Sequence, residues 1–184
     1  MKIKNKLALI TLLSTAAFST HAGNAMDNGY KNNGYIGGSV NLLSYEEPGV
    51  DADLVAVSGR LGTFITENFS VEGRLGFGLV GDDVDITGTN VDVDLNYIFG
   101  VYARAGLPVN ENIYPYVLLG YSRGEVEASA GSFSVEEAES DVSFGFGVDF
   151  KLNDKLTLNA EYVNLIDKDD VEVSGFNLGA SVSF

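Results

Sequence analysis

The sequence contains no cysteine and no tryptophan, and its single histidine is His21. Without cysteine the chain has no disulfide framework, no zinc–thiolate site and no thiol nucleophile. Proline is scarce, at 3 residues against 22 glycines, and basic residues are few, at 11 against 26 acidic residues. Because contact with a phosphate backbone needs clustered basic side chains, this imbalance argues against a protein that binds nucleic acid.

The amino-terminal 22 residues have the three parts of a secretory signal peptide. Three lysines lie within the first six residues, Leu7 to Phe18 is an apolar stretch, and Thr20-His21-Ala22 forms a small-x-Ala cleavage site. The apolar stretch is shorter than the roughly 17–25 residues that a membrane-spanning helix needs, which argues against an anchor. We therefore expect a signal peptide over residues 1–22 and one mature domain over residues 23–184.

Cleavage after Ala22 changes both the charge and the available chemistry. It removes His21 and three lysines, so the mature chain carries 8 basic and 26 acidic residues and a formal charge of −18. A chain with neither histidine nor cysteine has no Ser-His-Asp or Cys-His catalysis and no imidazole metal ligand. The sequence therefore predicts a protein that is not an enzyme and that needs no cofactor.

Most of the mature chain alternates between apolar and small polar residues with a period of two. In one segment Phe144, Phe146, Val148 and Phe150 share a face, and serine, glycine and aspartate occupy the other face. Only β-strands sort residues in this way. The alternation predicts eight strands, approximately at Tyr35–Ser44, Leu54–Ile65, Ser70–Val80, Val91–Gly106, Ile113–Arg123, Val142–Leu152, Leu156–Asn164 and Glu172–Phe184.

The connections between these strands alternate between short turns and long polar segments. Long polar segments are read at 45–53, 81–90, 124–141 and 165–171, and they hold most of the acidic residues. Short turns at one end and long loops at the other are typical of an up-and-down barrel in an outer membrane, with the loops outside the cell. The predicted fold class is all-β: a closed antiparallel up-and-down eight-stranded transmembrane β-barrel.

The polar face of the strands distinguishes this barrel from a soluble, lipocalin-like cup. It consists mainly of small residues, whereas a soluble exterior carries a dense mixture of lysine and glutamate. Long charged side chains among glycines suit a narrow lumen filled by ion pairs. We predict a lumenal ion-pair network that plugs the barrel. Its members are Arg60, Glu72, Arg74, Arg104, Asp149 and Glu161.

Several short stretches resemble the small outer-membrane barrel family of Gram-negative bacteria, which includes the OmpA transmembrane domain and the OmpX and OmpW-type proteins. They are Gly34 to Val40, Asn68 to Glu72, Ile113 to Tyr121, Leu156 to Tyr162 and the terminal Phe184. The resemblance implies a cell outer-membrane location, contact with lipid and lipopolysaccharide, and a monomer. It also implies that Phe184 is the signal recognised by the barrel-assembly machinery, although Val182-Ser183-Phe184 replaces the family's frequent Tyr-Arg-Phe ending.

Three functional hypotheses remain at this point. The first is a structural or surface-interaction barrel that acts through long acidic loops. The second is a narrow porin-like channel for small solutes, and the third is a periplasmic lipocalin-like carrier. The segments Asp82 to Asp85 and Asp167 to Asp170 offer carboxylate oxygens of the kind that hold Ca²⁺ or Mg²⁺, but neither matches a calcium-binding loop.

Overall fold

The computed structural model describes residues 34–86, 89–130, 133–168 and 171–184. The predicted signal peptide and the first residues of the mature chain lie outside this range. The described residues form nine strands: β1 Gly34–Glu47, β2 Val50–Phe64, β3 Phe69–Val80, β4 Asp82–Ile86, β5 Thr89–Gly106, β6 Ile113–Ala130, β7 Phe133–Lys151, β8 Leu156–Lys168 and β9 Val171–Ser183. Within these ranges no helix is long and apolar enough to cross a membrane.

The strands form a single closed antiparallel sheet. Each strand from β1 to β3 and from β5 to β9 pairs with its neighbours along the chain, β1 pairs with β9, and β3 pairs with β5. The short strand β4 follows β3 after an interruption at Gly81 and pairs with the start of β5, so the two together make one strand of the wall. The prediction of an eight-stranded up-and-down barrel is confirmed.

The side chains alternate between a lipid-like exterior and a filled interior. On β6, Val117, Leu119 and Tyr121 are exposed, whereas Tyr116 and Leu118, which alternate with them, are buried. The same outward band continues around the barrel on the other long strands. A continuous exposed apolar surface of this kind needs a partner, and in a barrel of this size that partner is lipid.

The prediction of long loops at one end is wrong for the backbone. Segment 124–141 continues β6 and β7 as a regular hairpin, and at segment 45–53 only Pro48 and Gly49 separate β1 from β2. Gly49 has a φ of 90°, in the left-handed region that a tight turn requires and that glycine enters without strain. The acidic side chains there alternate with valine, alanine and serine, so the segment keeps the period of a strand although its composition is that of a loop.

β-Bulges change which residues face the interior near this end. The pairing register shifts between Leu95 and Tyr97 on β5, and between Asn164 and Ile166 on β8. Each bulge reverses the inside–outside alternation, so that Leu95 and Ile166 both point inward and are buried. The result is an apolar layer that the sequence did not predict, because the alternation indicated a polar lumen along the whole barrel.

Candidate functional site: the barrel interior

The interior of the barrel has two layers of different chemistry. The layer near the short turns is polar and contains all six charged residues predicted for the lumen. The structure places Arg60 directly opposite Arg74 in the β2–β3 register, with Glu72 two residues away on the same strand. Arg104, Asp149 and Glu161 reach the same layer from β5, β7 and β8. The geometry therefore brings the six residues together.

Glu72 lies at the centre of this layer, and its side chain is 0% exposed. Its Oε2 accepts hydrogen bonds from the Tyr35 hydroxyl at 2.7 Å and from Arg104 Nη1 at 3.3 Å. Arg60 Nη1 lies 3.9 Å from the same oxygen, and Arg74 Nε donates to the other oxygen, Oε1. One carboxylate thus holds three guanidinium groups, whose mutual repulsion would otherwise oppose barrel closure.

Glu161 is the second buried carboxylate and receives Arg74 through two parallel hydrogen bonds. Arg74 Nη2 donates to Oε2 at 2.8 Å, and Arg74 Nη1 donates to Oε1. Tyr116 donates to Oε2 and Asn177 Nδ2 donates to Oε1, each at 2.9 Å. Because Arg74 bonds both Glu72 and Glu161, it joins the two carboxylates into one network, and the paired geometry is the strongest that arginine forms with a carboxylate.

Arg104 connects the network to Asp149, to which its Nη2 donates at 2.6 Å. The Arg104 guanidinium also lies 3.7 Å from the centre of the Tyr116 ring, so it is attracted to the ring face. Arg60 completes the set: with the Asn159 amide turned so that its oxygen faces Arg60, Nη2 donates to that oxygen at 3.0 Å. Three arginines and three carboxylates leave the layer with no net formal charge.

Tyrosines in this layer lie against glycines of neighbouring strands. A Cβ atom on Gly62 would overlap the Tyr35 ring, and one on Gly147 would lie 2.6 Å from the Tyr116 ring. The absence of a side chain at these glycines therefore makes room for the rings that hydrogen-bond Glu72 and Glu161. This is a packing role that the alternation of the sequence did not reveal.

The second layer, towards the long hairpins, is apolar. Its buried side chains come from β1, β2, β5, β8 and β9, and they include Leu43, Leu54, Ala56, Val93, Leu95, Ile98, Val163, Leu165, Ile166 and Val173. Leu54 is 1% exposed and Val163 is 0% exposed, so they are packed as tightly as residues of a globular core. The interior is thus closed twice, first by ion pairs and then by aliphatic side chains.

The remaining predicted features lie at the ends of the barrel. Phe184 is partly exposed beside the start of β1, and its backbone N–H donates to the carbonyl of Gly34 at 2.8 Å. The described acidic residues of the opposite end form no cluster of three or more that would hold a metal ion. Asp169 and Asp170, which belong to one predicted carboxylate group, lie outside the described residues.

Comparison with known proteins assigns the fold to a family. Residues 8–184 match the outer membrane protein beta-barrel domain. The chain belongs to this family. An outer-membrane location follows, and it agrees with the apolar exterior of the barrel. This finding confirms the predicted resemblance and excludes the periplasmic lipocalin-like carrier. No curated protein matches the chain significantly.

Solved structures of three outer-membrane barrels share this fold. The attachment invasion locus protein Ail of Yersinia pestis aligns with a TM-score of 0.65 and 20% identity, over 84% of this chain and 100% of Ail. Neisserial surface protein A aligns with a TM-score of 0.61 and 14% identity, over 82% and 97% of the two chains. The amino-terminal barrel domain of Pseudomonas aeruginosa OprF gives 0.57 and 11%, over 84% and 100%.

Proposed function

We propose that this outer-membrane barrel is neither a channel nor an enzyme and that it has a structural or surface-interaction role. The observation that carries the proposal is the double closure of the interior. An eight-stranded barrel is just wide enough for side chains to fill it, and here an ion-pair layer and an apolar layer both do so. Hydrated ions do not cross a dry apolar constriction readily, so the second layer opposes conduction independently of the first.

Planar-bilayer recording of the purified, refolded protein tests this closure. We expect no stable unit conductance from the natural sequence. A variant with Leu54→Ser and Val163→Ser places hydroxyl groups in the apolar layer and keeps the ion pairs, so its current reports whether that layer alone is the barrier. Stable, voltage-independent unit conductance from the unmodified protein would show instead that the protein is a narrow channel.

We propose that the extracellular partners are cationic. A second structure of Ail, with a TM-score of 0.64 and 21% identity to this chain, contains the heparin analogue sucrose octasulfate. The hairpins of this chain instead carry carboxylates such as Glu125, Glu127, Glu136 and Glu137, which repel sulfate groups. We expect the refolded protein to pass through immobilised heparin at low salt. Retention that is lost on adding salt would contradict this proposal.

We also propose that residues 1–22 are removed on export and that Phe184 is the assembly signal. The partly exposed ring of Phe184 at the end of the last strand supports this role. Phe184→Ala is expected to lower the amount of heat-modifiable barrel in the outer membrane. Phe176→Ala, which removes an exposed ring from the middle of the same strand, is the control. Equal amounts of barrel from the two variants would contradict the role of Phe184.

A further inference from the structure

The polar layer and the apolar layer of the interior meet at a small space, which we call the boundary cavity. Its polar side is lined by Asn41, Ser58, Arg74 and Asn177, and its apolar side is lined by Leu43 and Leu165. The centre of a water molecule can occupy about 20 Å³ of this space. Because about 10–15 Å³ is enough for one water molecule, the cavity has room for one water and not for a larger solute.

Asn177 brings an unpaired acceptor to the boundary cavity. The residue is 3% exposed, and its Nδ2 donates to Glu161 Oε1 at 2.9 Å. Its Oδ1 is buried and accepts no hydrogen bond from any residue that the structure describes. The amide cannot be turned over to correct this, because its oxygen would then face the Glu161 carboxylate. A buried amide oxygen of this kind needs a donor.

Arg74 brings donors to the same cavity. Its bonds to Glu72 and Glu161 use three of its five N–H groups, so two remain for another acceptor. Further acceptors lie on β1 and β2. Asn41 Nδ2 donates to Ser58 Oγ at 3.2 Å, and Ser58 Oγ donates to Asn41 Oδ1 at 3.3 Å. These bonds are at or beyond the usual range, so both oxygens remain available to a better donor.

This combination of groups determines what the boundary cavity binds. A cation would lie beside the Arg74 guanidinium, and an anion would lie beside the unpaired oxygen of Asn177. Glu72 and Glu161 already balance the charge of Arg74, so neither ion would recover the free energy that it loses on leaving water. A neutral molecule that both donates and accepts hydrogen bonds satisfies Arg74 and Asn177 together. At this volume that molecule is water.

We propose that the boundary cavity binds one structural water molecule, which accepts a hydrogen bond from Arg74 and donates to Asn177 Oδ1 and to the Asn41–Ser58 pair. Three hydrogen bonds are the usual number for a buried water. This water joins β3 and β9 to β1 and β2 at the level where the ion pairs end. The site goes beyond the proposed surface role, and its test uses neither conductance nor a partner, so either proposal can fail without the other.

Water-selective NMR of the full mature chain in lipid nanodiscs tests this site. We expect transfer of magnetisation from water to the Asn177 side-chain amide protons, with opposite signs in laboratory-frame and rotating-frame experiments, whereas proton exchange gives the same sign in both. Ser58→Ala and Tyr102→Phe each remove a hydroxyl of the cavity wall that could relay the signal, and each should leave it in place. Absence of transfer to Asn177 in the natural sequence would overturn the proposal.

Two glycine substitutions on β3 separate this cavity from the rest of the wall. Gly76 lines the cavity, and a Cβ there would lie 3.1 Å from Ser58 Cβ and from Ile98 Cγ2, so Gly76→Ala fills part of the space. Gly73 is exposed, and a Cβ there has no atom within 4 Å. The water signal at Asn177 is expected to be lost in Gly76→Ala and kept in Gly73→Ala. An undiminished signal in Gly76→Ala would contradict the assignment of the water to this cavity.

Heat-modifiable mobility checks that each variant is folded. A crystal structure of the natural sequence tests the same site without any substitution. We expect electron density for one water within hydrogen-bonding distance of Asn177 Oδ1. A map that shows ordered waters elsewhere and none at this oxygen would refute the site.

Discussion

Glu72 determines whether the polar layer is stable, because it is the carboxylate that contacts all three lumenal arginines. Buried ion pairs gain little over apolar packing while both partners are present, but removal of one partner leaves an uncompensated charge in a low-dielectric environment. At Glu72 the loss would expose Arg60, Arg74 and Arg104 to one another. The residue is therefore the most sensitive point of the network.

Glu72→Gln is expected to lower the free energy of unfolding by about 3–5 kcal/mol, the usual cost of breaking a buried pair. Urea unfolding in lipid vesicles, followed by far-ultraviolet circular dichroism, measures this change. Glu111→Gln removes the same charge from an exposed turn and serves as the control. A loss of stability equal to that of Glu111→Gln would show that the network contributes nothing to the barrel.

Gly147→Ala tests the packing of tyrosine against glycine. The added Cβ would lie 2.6 Å from the Tyr116 ring and 2.8 Å from the carbonyl oxygen of Ala160, so either the ring or the strand must move. Overpacking of this kind costs about 1–3 kcal/mol, measured by the same unfolding experiment. Gly59→Ala is the matched control, because a Cβ there has no atom within 4 Å. Equal stabilities of the two variants would contradict the packing role of Gly147.

The six charged lumenal residues were predictable because each breaks a face that otherwise holds small residues. Their individual pairings were not, except that reflection across the turn between β2 and β3 places Arg60 beside Arg74. Pairing between distant strands, such as Arg74 with Glu161, depends on the closure of the barrel. No local pattern encodes that closure, so the sequence predicts the members of the network and not its bonds.

At the scale of elements, the hairpin of β6 and β7 is divided into two parts. Residues 144–151 of β7 pair with β8 and close the wall, whereas residues 133–143 pair only with β6. The first part was recognised from its phenylalanines, and the second was mistaken for a loop because acidic residues dominate it. The sequence interpretation gave more weight to the acidic composition of this segment than to its two-residue period, although the alternation of valine and alanine with glutamate was present in the sequence.

Shortening this hairpin is expected to leave the barrel intact. Val126 and Glu137 are cross-strand partners, so residues 127–136 can be replaced by an Asn-Gly turn that preserves their register. The shortened protein should show the same heat-modifiable mobility and the same midpoint of thermal unfolding, to within a few degrees. Loss of the folded band would mean that the projecting part is needed for closure.

At the scale of the whole molecule, the distribution of charge gives the barrel two different ends. The lumenal layer cancels its own charge, and Lys151 and Lys155 flank a short turn between β7 and β8. Most of the acid lies on the hairpins at the other end. The sequence was sufficient for this polarity, since it follows from where charges fall between apolar strands.

A peptide tag inserted after Gly49 is therefore expected to be accessible to antibody on intact cells. A tag inserted after Asp154, in the short turn between β7 and β8, should be reached only after the outer membrane is permeabilised. Labelling of the Asp154 tag on intact cells would show that the barrel has the opposite orientation.

Removal of the signal peptide is tested separately, because the mass of the purified protein should correspond to a chain that begins at Gly23.

The bulge at Asn96 has a consequence for comparison between relatives. Before Asn96 the odd-numbered positions of β5 point inward, and after it the even-numbered positions do, so one inserted residue exchanges the two faces of the strand. In a homologue that lacks Asn96, the residue equivalent to Val93 would face the outside of the barrel, even if every neighbouring residue were identical. Identity percentages therefore understate or overstate the likeness of two such proteins, depending on whether the alignment preserves the bulge.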